Sequence, residues 1–309
     1  MKLRAYLLML FVVAAWGATF VLVKSALADA TPAAFNLIRM ILAFLALAVA
    51  YRHAWRGITR VQIMAGALAG VCMALGYQFQ TTGLARTTPS KSAFITGMLV
   101  VLVPLLSLIP GVHPPGMRRT RWNGFVGAGL AFAGLVLLTA PARQPGSSLL
   151  SLLPDFSSIN LGDVLTFFGS IGFALHCIVL AHVSPKIGFQ RLAIVQLGTA
   201  VVVMGVSLPL IERPQVHWTP LLCFALPFMA LVCTAAAYSI QTWAQSVLPP
   251  THMAILLTLE PAFAWVTSFL VMGERLAAEP AVGALLILSG IALTELAPNT
   301  AQKIVVSRQ

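Results

Sequence analysis

Few residues in this sequence can do chemistry, and the first of them sits where charge is expensive. Glu260 is the only Asp, Glu, Lys or Arg between Arg213 and Glu274. It lies inside the apolar stretch Leu256–Glu274, LLTLEPAFAWVTSFLVMGE, and Pro261 follows it at once. A charge placed there costs roughly 3 kcal/mol on insertion scales, so something must offset it. Such a carboxylate can carry a proton between membrane faces or hold a substrate ammonium. The plainer alternative is a helix-breaking Glu-Pro whose side chain bonds a neighbouring backbone.

The remaining candidates are also polar groups in apolar runs. Arg39 lies about two turns into the second run, with Asn36 one turn before it. It can snorkel to the interface, pair with a carboxylate, or recognise a substrate carboxylate. Lys24 and Lys91 stand nearer to run ends, where snorkelling is the default. His176 sits deep in its run and can either exchange protons or serve as a hydrogen-bonded helix contact. Thr234, Tyr238, Gln241 and Gln245 share one helix face, as do Tyr77, Gln80 and Thr81. In lipid such stripes face the bundle interior, lining a cavity or bonding neighbouring helices. Trp16, Phe20, Phe173 and Trp243 are candidates for the apolar or cation–π walls of a pocket. Pro104 and Pro261 are candidate hinges, or plain bends. Gly66 and Gly70 form G-x-x-x-G, a close-packing signal that does not establish dimerisation.

The elements that must position these residues are membrane helices. The chain has 309 residues, 59% hydrophobic and 9% charged, with mean hydropathy +0.92. Soluble domains carry about 25% charged residues, so lipid must solvate much of this surface. Ten spans follow: about 5–27, 32–51, 61–83, 92–110, 122–140, 161–182, 192–211, 220–244, 252–272 and 281–297. The start, Lys2 and Arg4 before an apolar run, also resembles a secretory signal with Ala26-Leu27-Ala28 as its cleavage site. The run is longer than a signal core, and its Trp16-Gly17 belongs to a pattern that returns later, so it reads as a span. The net charge of +11 does not indicate nucleic acid, because the basic residues punctuate apolar runs. Cys72, Cys177, Cys223 and Cys233 all lie inside such runs, which argues against disulfides and metal sites. There is no P-loop, H-E-x-x-H or G-x-S-x-G, and nothing calls for a cofactor or a catalytic residue.

Orientation follows from Lys and Arg. With the N-terminus inside, Lys2, Arg4, Arg52, Arg56, Arg60, Arg118, Arg119, Arg121, Lys186, Arg191, Lys303 and Arg308 fall inside. Only Lys24, Arg86, Lys91, Arg143, Arg213 and Arg275 fall outside, so both termini are expected in the cytoplasm.

The chain also repeats itself. Ala15-Trp16-Gly17-Ala18 aligns with Gly172-Phe173-Ala174-Leu175, and Pro104 with Pro261, at one offset of 157. Gly127 and Gly134 align with Gly283 and Gly290 at 156, and the Y-x-x-Q pairs Tyr77/Gln80 and Tyr238/Gln241 at 161. The expected organisation is a five-helix repeat at 1–140, an extracytoplasmic Pro/Ser/Gly-rich linker at 141–160, a second five-helix repeat at 161–298, and a cytoplasmic tail at 299–309. Leu149–Leu153 of the linker is expected to rest on the membrane interface. Five spans are an odd number, so the second repeat starts from the opposite face. Inverted repeats around a central cavity are the architecture of alternating-access transporters.

The stretches AAWGATFVLVKSAL, TPAAFNLIRMILAFLAL, TTPSKSAFITGMLVVLVPLLS and LEPAFAWVTSFLVMGERL followed by GALLILSGIAL resemble the EamA-type drug/metabolite transporter superfamily over about 5–297. The resemblance implies ten helices, cytoplasmic termini, and a cavity lined mainly by spans 1, 3, 4, 6, 8 and 9. It implies export of amino acids, other metabolites or drugs, and a role for the Glu-Pro that is general rather than substrate-specific. The family's G-E pair after span 9 is present as Gly273-Glu274, but its counterpart after span 4 reads Ile109-Pro110-Gly111-Val112-His113. That acidic position is therefore expected to be structural. The expectation is an all-α integral membrane exporter of the bacterial inner membrane, acting on small molecules in a lipid bilayer. A membrane-embedded lipid-modifying enzyme using His176, Glu260 and Arg39 is the alternative.

Overall fold

The computed structural model describes residues 2–113, 122–139, 160–248 and 250–296. Arg118, Arg119, Arg121, nearly all of the expected linker, and the tail lie outside the described residues, so nothing is added on them. The described chain is helical: α1 (Lys2–Ala26), α2 (Pro32–Ala50), α3 (Arg60–Leu84), α4 (Pro89–Gly97), α5 (Leu99–Leu106), α6 (Trp122–Thr139), α7 (Leu161–Val183), α8 (Phe189–Ile211), α9 (Pro220–Ala230), α10 (Ala237–Val247), α11 (Pro250–Leu257), α12 (Glu260–Met272) and α13 (Ala278–Leu296). A π-helical turn, Leu231–Ala236, joins α9 to α10.

Local sequence explains the starts and stops. Thr31-Pro32, Thr88-Pro89 and Thr219-Pro220 each place an extended threonine before a proline that opens a helix. Proline at the first helical position wastes no hydrogen bond, and the Thr88 and Thr219 hydroxyls accept from the backbone N–H of Lys91 and Leu222. Gly273, at φ +65, closes α12 in the left-handed conformation that glycine adopts without strain.

Large apolar side chains such as Leu7, Phe11, Leu45, Phe132, Val206 and Leu270 are exposed, whereas Asn36, Arg39, His176, Gln196, Gln241 and Glu260 are buried. That arrangement suits lipid as the surrounding solvent. Among the described residues seven helical segments are long and apolar enough to cross a membrane, with α4 and α5 counted as one and α9 to α10 as another. Three shorter apolar helices lie at Trp122–Leu138, Glu260–Met272 and Ala278–Leu293.

Glycines set the closest crossings. A Cβ on Gly172 would lie 2.7 Å from the Gly76 nitrogen, and one on Gly162 would lie 2.7 Å from the Gly83 carbonyl oxygen. Hence α3 and α7 run antiparallel with backbones in contact. On α6 and α13, Gly134 meets the Gly283 carbonyl and Gly290 meets the Gly127 carbonyl, again antiparallel. The G-x-x-x-G of α3 packs within the chain: Gly66 faces Val195 and Gly70 faces Gln196 and Thr199 of α8.

One rim of the bundle is tied by acids. The Glu212 carboxylate accepts from the Ala33 and Ala34 N–H groups at the start of α2. Asp29 accepts from Thr219 Oγ1 at 2.6 Å, and Asp163 from Thr87 Oγ1. Glu274 accepts from Ser90 N and Oγ and from Ser268 Oγ, clasping the start of α4 to the end of α12.

Candidate functional site

The central cavity opens among α1, α3, α4, α7, α9, α10 and α12, with Arg39 of α2, Leu99 of α5 and Leu257 of α11. Trp16, Arg39, Tyr77, Gln80, His176, Tyr238, Gln241 and Glu260 all line it, together with Phe20 and Phe173. The cavity volume is ≈ 70 Å³. It is a narrow crevice, and a metabolite larger than a few waters needs its walls to part.

Glu260 reaches the cavity because the ninth expected span breaks at Thr258-Leu259. Glu260 opens α12 and Pro261 stands in its first turn, where the missing N–H costs nothing. α1 passes directly over this break: a Cβ on Gly17 would lie 2.5 Å from the Glu260 carbonyl oxygen. The carboxylate is 7% exposed, and no described residue hydrogen-bonds it. The fourth expected span breaks at Met98, six residues before Pro104, so the two matched prolines are not equivalently placed about their breaks. Neither proline lines the cavity; Pro261 packs against Gly97, where a Cβ would lie 2.7 Å from its ring.

Arg39 does not snorkel. It is 3% exposed, and its Nε donates to Thr234 Oγ1 at 2.7 Å while Nη2 donates to the Tyr77 hydroxyl at 3.1 Å. The guanidinium lies 4.5 Å from the Tyr77 ring centre, a cation–π contact. Tyr238 donates to the same Tyr77 hydroxyl at 3.0 Å, so one oxygen joins both Y-x-x-Q motifs to Arg39.

The π turn makes this arrangement possible. Its wider winding leaves carbonyls outside the regular ladder. Trp16 Nε1 donates to the Cys233 carbonyl at 2.8 Å, and Thr234 Oγ1 donates to the Met229 carbonyl at 2.8 Å. Thr234 thereby turns its remaining lone pairs toward Arg39. Among the described residues no ion pair joins Arg39 to Glu260, although both lie within electrostatic range of Tyr77.

His176 is 1% exposed and bonds Gln196 Oε1 at 2.9 Å, and Gln196 passes the chain on to Thr242. It is at once a helix-to-helix contact and an edge of the cavity. Gln80 donates to Thr96 at 3.0 Å across the α3–α4 wall.

Two expectations need correction. Trp243 is outside the cavity, packed on the core: two residues beyond Gln241, it points to the other side of α10. Lys24 does not simply snorkel. Its Nζ donates to the Leu84 and Ala85 carbonyls, which have no helical partner at the end of α3. Lys91 lines a separate rim pocket with Lys24, Arg86 and Glu274. Thr19, Thr96, Cys177 and Met229 line the cavity without having been singled out for it. For Thr19 the signal was present, because the 157-residue offset pairs it with His176.

Two curated relatives from Archaeoglobus fulgidus are each named an uncharacterized transporter. One is 29% identical over 297 residues, spanning 96% of this chain and 87% of the relative. The other is 24% identical over 303 residues, spanning 95% and 98%. A solved crystal structure shares the fold at a TM-score of 0.62 and 16% identity, covering 98% of this chain and 99% of the other. The profile of the EamA-like transporter family matches twice, at residues 3–140 and 160–296. With one match falling on α1–α6 and the other on α7–α13, this multi-pass membrane protein belongs to the EamA-like transporter family.

Proposed function

We propose that the chain is a secondary active transporter that exports small metabolites, such as amino acids or drug-like compounds, by alternating access. The observation that carries this reading is convergence. Arg39, His176, Glu260 and both Y-x-x-Q motifs, scattered over five helices, line one interior cavity. Ten helices arranged as two inverted five-helix repeats would let the halves rock about it. The reciprocal contacts Gly127–Gly290 and Gly134–Gly283 support that arrangement, since each repeat-related glycine pair meets the other in antiparallel order. The Lys and Arg bias supports cytoplasmic termini in a bacterial inner membrane. Coupling is assigned to Glu260, a buried carboxylate at a helix break that no described side chain holds.

The test uses the full chain in proteoliposomes with an imposed pH gradient and a panel of radiolabelled amino acids. The parent protein is expected to drive uphill accumulation. Glu260→Gln is expected to keep exchange but lose accumulation. A variant with unchanged accumulation and unchanged pH dependence removes Glu260 from coupling, and a parent protein that moves none of the panel removes the amino-acid reading.

A further inference from the structure

A buried polar atom without a partner inside the protein indicates what a site is shaped to receive. Among the described residues four such side-chain atoms occur: Asp163 Oδ2, Ser184 Oγ, Gln241 Oε1 and Gln245 Oε1. Of these residues only Gln241 lines the central cavity. It is 2% exposed, and its amide nitrogen reaches only the Cys177 sulfur, at 3.9 Å. The Glu260 carboxylate lines the same cavity with no described donor to it. Two residues whose acceptors lack donors therefore line one cavity. The donors His176 and Arg39 line the cavity too, but His176 is engaged with Gln196 and Arg39 with Thr234 and Tyr77.

We propose that Glu260 and Gln241 form an ammonium-reading pole that selects substrates whose amine keeps at least two N–H bonds. The proposal rests on the transport reading of the cavity and deepens it. Glu260 supplies the opposite charge, while Gln241 Oε1 needs a donor of its own. A primary or secondary ammonium carries enough N–H bonds for both acceptors. A tertiary ammonium has one and leaves an acceptor buried and unpaired, and a quaternary ammonium has none. Sites built to hydrogen-bond an N–H reject analogues that lack it far more strongly than apolar pockets reject an added methyl. The walls do not impose this choice, because Trp16 and Phe173 would hold a methylated cation as readily over their rings.

The probes are phenethylamine and its N-methyl, N,N-dimethyl and N,N,N-trimethyl derivatives, titrated calorimetrically into the full chain in lipid nanodiscs. The first methyl is expected to change Kd by less than about threefold. The second and third are each expected to weaken binding by roughly tenfold. In Gln241→Leu the step at the second methyl disappears and the step at the third remains. Gln245→Leu keeps the parent profile, because that side chain does not line the cavity. An even decline with every methyl group reports size alone and overturns the proposal. So does a Gln241→Leu profile identical to the parent's, or the absence of binding by all four probes. Should Gln241→Leu fail to fold, the parent profile alone decides. A stepped profile in a protein that accumulates nothing in proteoliposomes removes the transport reading and leaves the pole standing. Transport with an even profile does the reverse.

Discussion

Two seams that the repeat relates are packed in different ways. Where α3 crosses α7, Gly76, Gly83, Gly162, Gly169 and Gly172 bring backbone against backbone. At the 157- and 161-residue offsets their counterparts are Ala237, Ala244, Ala5, Val12 and Ala15, on α1 and α10. There the contact is made through side chains, with the Trp16 ring 5.4 Å from that of Tyr238 and the Trp16 indole on a carbonyl of the π turn. Interdigitated backbones move only as a unit, whereas a seam of rotatable side chains can open by rearrangement. The cavity therefore has one wall joined backbone to backbone and one joined through side chains.

The strongest challenge to this contrast is at the glycine seam. Gly172→Ala would push a Cβ onto the Gly76 backbone and is expected to destabilise the protein by about 2–3 kcal/mol, read as loss of folded yield and a lower melting temperature. Ala15→Gly on the other seam is expected to cost at most about 1 kcal/mol. Equal losses would erase the difference between the seams. Next in size, Arg39→Lys is expected to lower transport more than tenfold and to cost about 1–2 kcal/mol in stability, since an ammonium cannot reproduce the fork that reaches Thr234 and Tyr77 together. Glu274→Gln removes the charge from three bonds at the rim and is expected to cost about 1–2 kcal/mol, seen in melting before transport. The smallest effect is expected from Thr234→Val: about 1 kcal/mol, with KM raised severalfold and kcat nearly unchanged.

What could be read from sequence was whatever is set locally. Apolar runs, Thr-Pro starts and the shared faces of Tyr77/Gln80 and Tyr238/Gln241 depend on neighbours a turn away, and they placed most of the cavity. The structural reading of Glu274 came from the resemblance rather than from its neighbours, and its carboxylate bonds the start of another helix. Trp243 misled because an aromatic in an apolar span carries no mark of which side it faces until its helix face is counted. The π turn was hidden for a different reason. The second half carries four more residues than the first between Phe173 and Tyr238, but most of them precede α9, so the length difference does not say where the winding changes. Nor does composition reveal that Arg39 finds a hydroxyl rather than a carboxylate, which depends on how α2 crosses α9 and α10.

The crossing of α6 and α13 has a consequence for the chain's two halves as separate objects. Gly127 meets the counterpart of Gly134, and Gly134 meets the counterpart of Gly127. That exchange is the signature of an isologous surface, one patch complementary to its own copy under a two-fold rotation. Residues 1–140 alone would thus carry both partners of the contact. Two such halves could mate only if they lay in the membrane in opposite senses. A single polypeptide with inverted halves would fix that opposition once, at synthesis, whereas a dimer of half-chains would have to find it at every encounter.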